Sequence, residues 1–189
     1  MRLKRALFWS LAIISVLFGA AILFLRQRSE SWDRQLAYDA AVRGDVETLQ
    51  RYLDAGMSPN AGVRLEEDRL HWYYHQIDWD PAWQRLKTPL IEGAATSKDC
   101  GTLKLLLDRG ADINLVAPDG MSPLAIATYH GNLEMVRFLL DHGADPFICW
   151  KDGSVPDSKD PGIRSQLERA RKTWRARGVT KPHRGTHAT

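Results

Sequence analysis

Cysteine is scarce in this sequence, which has two among 189 residues, Cys100 and Cys149. Two thiols are too few for a disulfide framework or for a complete zinc ligand set. Signatures of catalysis are also missing, since no glycine-rich phosphate-binding loop occurs and no serine or cysteine has an identifiable base in its pattern. The sequence therefore predicts neither an enzyme nor a bound cofactor, and it predicts no small-molecule substrate.

One long apolar run stands out, over residues 6–25, where 20 residues carry no charge. A helix of about 20 apolar residues spans the hydrocarbon core of a bilayer. The alternative is a cleaved signal peptide, which has a shorter apolar stretch followed by a small-x-small site. The only such site, residues 19–21, lies inside the run. We therefore expect a transmembrane anchor.

Basic residues flank this run on both sides, so the positive-inside rule is nearly balanced. Three precede the run and three follow it, namely Arg2, Lys4 and Arg5, then Arg26, Arg28 and Arg34. A short basic leader before the first apolar run is typical of a signal anchor that keeps the N-terminus in the cytoplasm. We predict a single-pass inner-membrane protein whose remaining domain is periplasmic, with a cytoplasmic domain as the alternative.

Charge is distributed unevenly along the chain. Residues 1–28 have five basic side chains and no acidic one, residues 29–161 have 13 basic and 22 acidic, and residues 162–189 have eight basic and one acidic. The basic C-terminal block suits anionic lipid or nucleic acid. We favour a solvated helix face there and expect no nucleic acid, while pairing with the acidic middle block stays open.

Two stretches of the chain repeat one another. Thr88-Pro89-Leu90 is echoed by Ser122-Pro123-Leu124, with 34 residues between the prolines. Gly110-Ala111-Asp112 is echoed by Gly143-Ala144-Asp145, with 33 residues between the glycines. A period of about 33 residues is typical of a solenoid built from helix pairs. Pro at a helix start and Gly just past a helix end explain both motifs, and Thr88 and Ser122 can act as caps.

These motifs resemble the ankyrin-repeat family, and the handful of weaker matches at residues 36–56 and 152–156 extend the resemblance. The resemblance implies an all-α ankyrin-repeat solenoid of about three repeats plus a helical cap, behind one transmembrane helix. The expected domains are a leader and anchor at residues 1–28, a repeat domain at residues 35–175 and a basic, disordered tail at residues 176–189. A short stack behind a signal anchor most resembles bacterial ankyrin proteins of the cell envelope.

The sequence departs from the family where a histidine of the Thr-Pro-Leu-His motif is replaced by Ile91 and Ala125. That histidine ties neighbouring loops together in the family, so its loss puts loop rigidity in doubt. In the ankyrin register Cys100 falls at an interhelical turn and Cys149 in a loop at the opposite edge. We expect both thiols to be free, because a disulfide needs Cα atoms within about 7 Å.

An insertion separates the first two repeats. There are 27 residues between Asn60 and Thr88, but seven between Asn114 and Ser122. The insertion, at about residues 62–84, has five aromatic residues within residues 72–83. Tyrosine and tryptophan dominate interface hot spots, and in the family this loop lies on the partner-binding side. We predict contacts to a partner by four of these residues: Trp72, Tyr73, Trp79 and Trp83.

A second interpretation of the insertion is local packing, with one helical face folding back on the repeats, formed by Leu70, Tyr73, Tyr74 and Ile77. A third is a metal site, because His71 and His75 are spaced to share one face of a helix near two aspartates. The glutamate of a His-Glu-x-x-His motif is absent, so we predict no metal ligands.

The function expected from the resemblance is protein binding. The first hypothesis is an adaptor or scaffold that holds another protein at the membrane through the concave ankyrin face and the aromatic insertion. The second is an inhibitor or immunity protein that neutralises a toxic enzyme at the envelope. The third, from a different class, is a metal-dependent enzyme built on His71 and His75.

Overall fold

The computed structural model describes residues 18–20, 22, 26, 29–63, 87–117, 120–148, 153–178, 181 and 185–187. The chain divides into two compact units, Met1–Asp33 and Arg34–Thr189. In the first unit every described residue is helical. Arg26 and Glu30 form an ion pair of 3.3 Å across one helical turn, and Phe18, Ile22 and Trp32 are exposed.

No helix among the described residues is both long enough and apolar enough to cross a membrane. Most of the predicted anchor, residues 6–25, lies outside the described part of the chain. The anchor therefore stays a prediction.

The second unit is built mainly of helices that pack in pairs. Its helices are α1 (helical over residues 29–43, of which 34–43 belong to this unit), α2 (Val46–Asp54), α3 (Leu90–Thr96), α4 (Gly101–Asp108), α5 (Pro123–Tyr129), α6 (Leu133–Asp141) and α7 (Pro161–Ala176). Its strands are β1 (Gly62–Val63), β2 (Thr88–Pro89), β3 (Leu115–Val116) and β4 (Thr186–His187). Within each of the three pairs we call the first helix (α1, α3 or α5) the inner helix and the second (α2, α4 or α6) the outer helix.

Short polar side chains begin several of these helices. Asp45 accepts a hydrogen bond from the Thr48 N–H at 3.0 Å, and Asn132 accepts one from the Met135 N–H at 3.0 Å. Ser122 caps α5 as expected, through the Ala125 N–H at 3.2 Å. Thr88 does not cap α3, because it is paired in β2 and Pro89 occupies the N-cap position. Ser122 caps its helix and Thr88 does not, because only Thr88 is held in a strand.

The last helix is the predicted cap of the stack. Asp160 accepts hydrogen bonds from the N–H groups of Gly162 and Ile163 at 2.7 and 3.0 Å, and Pro161 occupies the first helical position. Ile163 and Leu167 are buried against the core, and α7 packs on α6. The apolar side of α7 therefore covers the end of the stack, as expected of the helical cap.

The core runs through the stack from α1 to α7. Inner helices α3 and α5 pack together, and outer helices α2 and α4 do the same. Gly93 lets α1 approach α3 closely, since a Cβ there would lie 3.0 Å from Tyr38 Cε2 and 3.1 Å from Val42 Cγ2. The core is lined by small and branched apolar residues, among them Leu49, Leu90, Ala94, Leu103, Leu106, Leu124, Met135, Leu139 and Ile163.

Two small sheets complete the unit. β1 pairs antiparallel with β2, and β3 pairs in parallel with β4. The second pairing differs from the expectation of a disordered tail over residues 176–189, because Thr186–His187 form β4. The physical reason is that the edge of β3 presents backbone groups that an extended segment can pair with.

Candidate protein-interaction surface

The loops that follow the outer helices α2, α4 and α6 share one local structure, and we call them finger loops (residues 55–63, 109–117 and 142–148). The second residue of each is a glycine of positive φ, which is Gly56, Gly110 or Gly143. The residue two positions after this glycine has a side-chain oxygen. That oxygen accepts a hydrogen bond from the N–H group two positions further along the chain. The three bonds are Ser58 to Asn60 at 3.2 Å, Asp112 to Asn114 at 2.9 Å and Asp145 to Phe147 at 2.7 Å.

Asparagine side chains link successive finger loops. Asn60 Oδ1 accepts a hydrogen bond from the Asp112 N–H at 2.8 Å. Asn114 Oδ1 accepts one from the Asp145 N–H at 2.9 Å. These two bonds supply cross-loop ties in a chain that lacks the motif histidine. Sequence reasoning missed both of these asparagines.

The two asparagine bonds, which we call the asparagine ladder, follow a spacing that is visible in the sequence. Asn60 follows Gly56 by four residues, Asn114 follows Gly110 by four, and Phe147 takes the same position after Gly143. The ladder therefore has two bonds and ends at the third finger loop. Phe147 instead lies under the guanidinium of Arg175, whose carbon is 5.6 Å from the ring centroid.

The root of the insertion is fixed by β1 and β2. Gly62 pairs with Pro89 and Val63 pairs with Thr88, so the two ends of the insertion lie side by side. The Leu90 N–H also donates to the Ala61 carbonyl at 3.1 Å. The first finger loop is therefore the place from which the inserted segment extends.

Helices α3 and α5 are buried over most of their length and are most exposed at their C-terminal ends, which we call the open end of the inner helices. A second apolar cluster, separate from the main core, is formed by Ala95, Met121, Ala125 and Ile126, each at most 7% exposed. One turn further along α5, Tyr129 is 65% exposed. Among the described residues of α3 and α5, those at the C-terminal ends are thus the most accessible to a partner.

That open end carries an aromatic pair. The rings of Tyr129 and His130 meet edge to face, with centroids 5.6 Å apart. Partial burial lowers the pKa of the His130 imidazole, which favours the neutral ring. A tyrosine beside a neutral imidazole presents an apolar body with polar edges, the type of surface that anchors protein partners.

The interhelical turns beside this pair form a contiguous row. Asn132 Nδ2 donates to the Ser97 carbonyl at 3.3 Å, and Thr102 Oγ1 donates to the Ala41 carbonyl at 3.2 Å. Lys98 and Asp99 are exposed between them. Hydrogen bonds therefore link the interhelical turns of three successive repeats.

The cap helix carries most of the positive charge of the described chain end. Arg164 donates to the Ser158 carbonyl at 2.8 Å and lies 3.8 Å from Asp157. Arg171 bonds the Pro156 carbonyl, and burial lowers the pKa of its guanidinium. These contacts hold the preceding loop. Arg169 and Lys172 are exposed to solvent.

Cys100 lies at the turn between α3 and α4, the position expected for it, and it is a free thiol. Its Sγ lies 3.8 Å from Met135 Sδ. Burial raises the pKa of this thiol, and Glu134 and Asp99 raise it further. Within the described residues no three His, Cys, Asp or Glu side chains form a group able to hold a metal ion.

Several predicted site residues fall outside the described part of the chain. They are the four proposed contacts Trp72, Tyr73, Trp79 and Trp83, the histidines His71 and His75, and Cys149. The roles assigned to them stay predictions. The structure instead adds Asn60, Asn114 and Tyr129, which sequence reasoning did not select.

Comparison with known proteins gives one consistent result. The sequence model of ankyrin repeats, in three copies, matches residues 36–148. Zygote-specific protein 3 of Chlamydomonas reinhardtii is 36% identical over 93 residues, 49% of this chain and 24% of that protein. The ankyrin repeat and LEM domain-containing protein 1 homolog of Caenorhabditis elegans is 42% identical over 73 residues, 39% of this chain and 10% of that protein. The ARF GTPase-activating protein Git of Drosophila melanogaster is 31% identical over 122 residues, 62% of this chain and 14% of that protein.

Stacked helix pairs with linked finger loops define this chain as a helical-repeat module for protein–protein interaction. It belongs to the ankyrin-repeat family. The chain spans at most 24% of the length of the three relatives described above.

Proposed function

We propose that this protein is a membrane-tethered adaptor that binds another protein through its first finger loop and the open end of its inner helices. It acts by binding and carries out no catalysis. The observation that carries the proposal is the β1–β2 pairing, which gives the long aromatic insertion a fixed root on a stack of linked loops.

Rigidity is what the support contributes to binding. A surface that is ordered before it meets a partner loses less conformational entropy on association. The bonds from Asn60 to Asp112 and from Asn114 to Asp145 hold successive finger loops together. The aromatic side chains of the insertion supply the contact residues in this proposal, and Tyr129 supplies a second anchor at the C-terminal end of α5.

The tether in this proposal is the apolar run over residues 6–25, with the repeat unit on the periplasmic side, as in bacterial envelope proteins of this family. The 20 uncharged residues of this run support a membrane anchor, and the basic residues before it support a cytoplasmic N-terminus. Alkaline carbonate extraction and protease digestion of intact spheroplasts test both statements. A chain released by carbonate contradicts the anchor, and protection of the repeat unit from protease contradicts the orientation.

A crosslinked pull-down from native membranes tests the binding proposal. The intact chain is compared with a variant in which residues 64–87 are replaced by Asn-Gly. Because Val63 pairs with Thr88, this dipeptide closes a two-residue hairpin of the favoured type. Lys104→Ala, a change at an exposed position of the outer helix α4, is the matched control.

We expect a partner that is captured by the intact chain and by the Lys104→Ala chain and lost from the hairpin variant. Equal capture by all three folded chains contradicts the role of the insertion. The identity of the captured protein separates an adaptor from an inhibitor or immunity protein, since the latter captures a toxic enzyme. Metal analysis of the intact chain tests the enzyme alternative, which predicts stoichiometric metal that disappears with residues 64–87.

A further inference from the structure

The C-terminal segment is docked on a finger loop of the same chain. β4 runs parallel to β3, with Thr186 opposite Leu115 and His187 opposite Val116. Parallel strands cannot be joined by a tight turn, and here the connection passes through α5, α6 and α7. The pairing is therefore a long-range contact between the chain end and the second finger loop.

The contact point at Gly185 has room for no side chain. A Cβ there would lie 2.3 Å from Val116 Cγ1, 3.0 Å from the Asn114 carbonyl oxygen and 3.3 Å from Ile148 Cγ2. Positive φ is found at eight other glycines and not at Gly185, so the obstacle to a larger residue is space. The edge of β3 thus accepts a backbone with a glycine immediately before the paired residues.

The surroundings of this contact are rigid. Val116 is 1% exposed and Ile148 is 2% exposed, and Asn114 is held by its bond with the Asp145 N–H. An extended segment added to the edge of a strand gains main-chain hydrogen bonds, and close packing beside it gives selectivity. Both elements of strand addition are therefore present at β3.

We infer that the β3 edge is a docking site for a short extended segment containing glycine, and that residues 185–187 occupy it as an intramolecular ligand. This inference rests on the proposed binding function, because it assigns the tail as a competitor of a partner segment at the second finger loop. A partner that adds a strand to β3 must first displace the tail. The chain end thereby sets the apparent affinity of the site.

The probe for this site is a labelled peptide with the sequence of residues 181–189. Its binding is measured by fluorescence anisotropy to the full chain and to Gly185→Ala, in which the added Cβ cannot fit beside Val116. If the tail covers the site in about nine of ten molecules, opening it tightens the apparent Kd about tenfold. The same peptide with alanine in place of its glycine is the matched control and should not bind.

Two further chains keep the test decisive. A chain ending at Gly178 lacks the tail and should bind the peptide as tightly as Gly185→Ala. Val116→Ala removes the atom closest to the added Cβ, so the double variant Gly185→Ala with Val116→Ala should regain tail docking. Its peptide affinity should fall back toward that of Val116→Ala alone.

Thermal melting first shows that each chain is folded. Equal peptide affinity for the full chain and the chain ending at Gly178 overturns the inference, as does absence of saturable binding to either opened chain. The assay needs no partner, so its outcome is independent of the proposed function. Peptide binding without any captured partner refutes the proposed function alone, whereas a captured partner without peptide binding refutes the strand site alone.

Discussion

Removing the acceptor at Asn114 should weaken the stack more than removing the equivalent acceptor at Asn60. In Asn114→Ala the Asp145 N–H loses its partner, and Asp145 is 6% exposed. A buried donor left without a partner costs about 1–3 kcal/mol. Asp112, the donor to Asn60, is exposed, so water can replace the lost bond in Asn60→Ala and the cost falls to about 0.5–1.5 kcal/mol or less.

The assay is thermal and urea unfolding of the full chain in detergent, followed by helical circular dichroism. A loss of 1 kcal/mol lowers the Tm of a domain of about 150–250 residues by about 2–4 °C. Asn114→Ala should therefore melt about 2–12 °C below the unaltered chain, and Asn60→Ala should lie between the two. An equal or smaller loss for Asn114→Ala would refute the view that the ladder stabilises the finger loops through buried donors.

Three further predictions concern other parts of the stack. The hydrogen bond from the Thr48 N–H lowers the pKa of Asp45 below its ordinary 3.8. The stabilisation by the Asp45 carboxylate is therefore complete above that pH and disappears as the pH falls through the folded-state pKa. Asp45→Asn should flatten the acid limb of a plot of Tm against pH, and an unchanged limb contradicts this assignment. Gly93→Val should destabilise the chain by about 1–3 kcal/mol through overpacking against Tyr38, and an unchanged urea midpoint would show that α1 and α3 separate freely. In a Cys149→Ser background, Cys100 should react with a thiol reagent at pH 8 more slowly than glutathione, since its raised pKa leaves less thiolate, and a faster reaction would mean that the thiol is not buried.

The helices were predictable because their signals are local. Pro161 after Asp160 gives a helix start, and Ile163 and Leu167 recur at helical spacing. Glycines past the helix ends adopt positive φ as expected at Gly110 and Gly143. Each of these signals lies within one or two helical turns of the feature it specifies.

The contacts between repeats were not predictable in the same way. Asn60 meets a residue 52 positions away and Asn114 one 31 positions away, so neither bond follows from its neighbours in sequence. β4 was missed because its partner β3 is also distant and its own composition is polar. Tyr129 was missed because helical spacing alone does not show where the inner helices become exposed.

In the proposed function the first finger loop carries the binding element. The most direct test is the Kd of the captured partner for the intact chain and for the chain with residues 64–87 replaced by Asn-Gly. The loss of one aromatic anchor worth about 2 kcal/mol weakens binding about thirtyfold, so the account predicts a loss of at least that size. An unchanged Kd for the folded hairpin variant would contradict this role and would leave the exposed surface at Tyr129 as the binding surface.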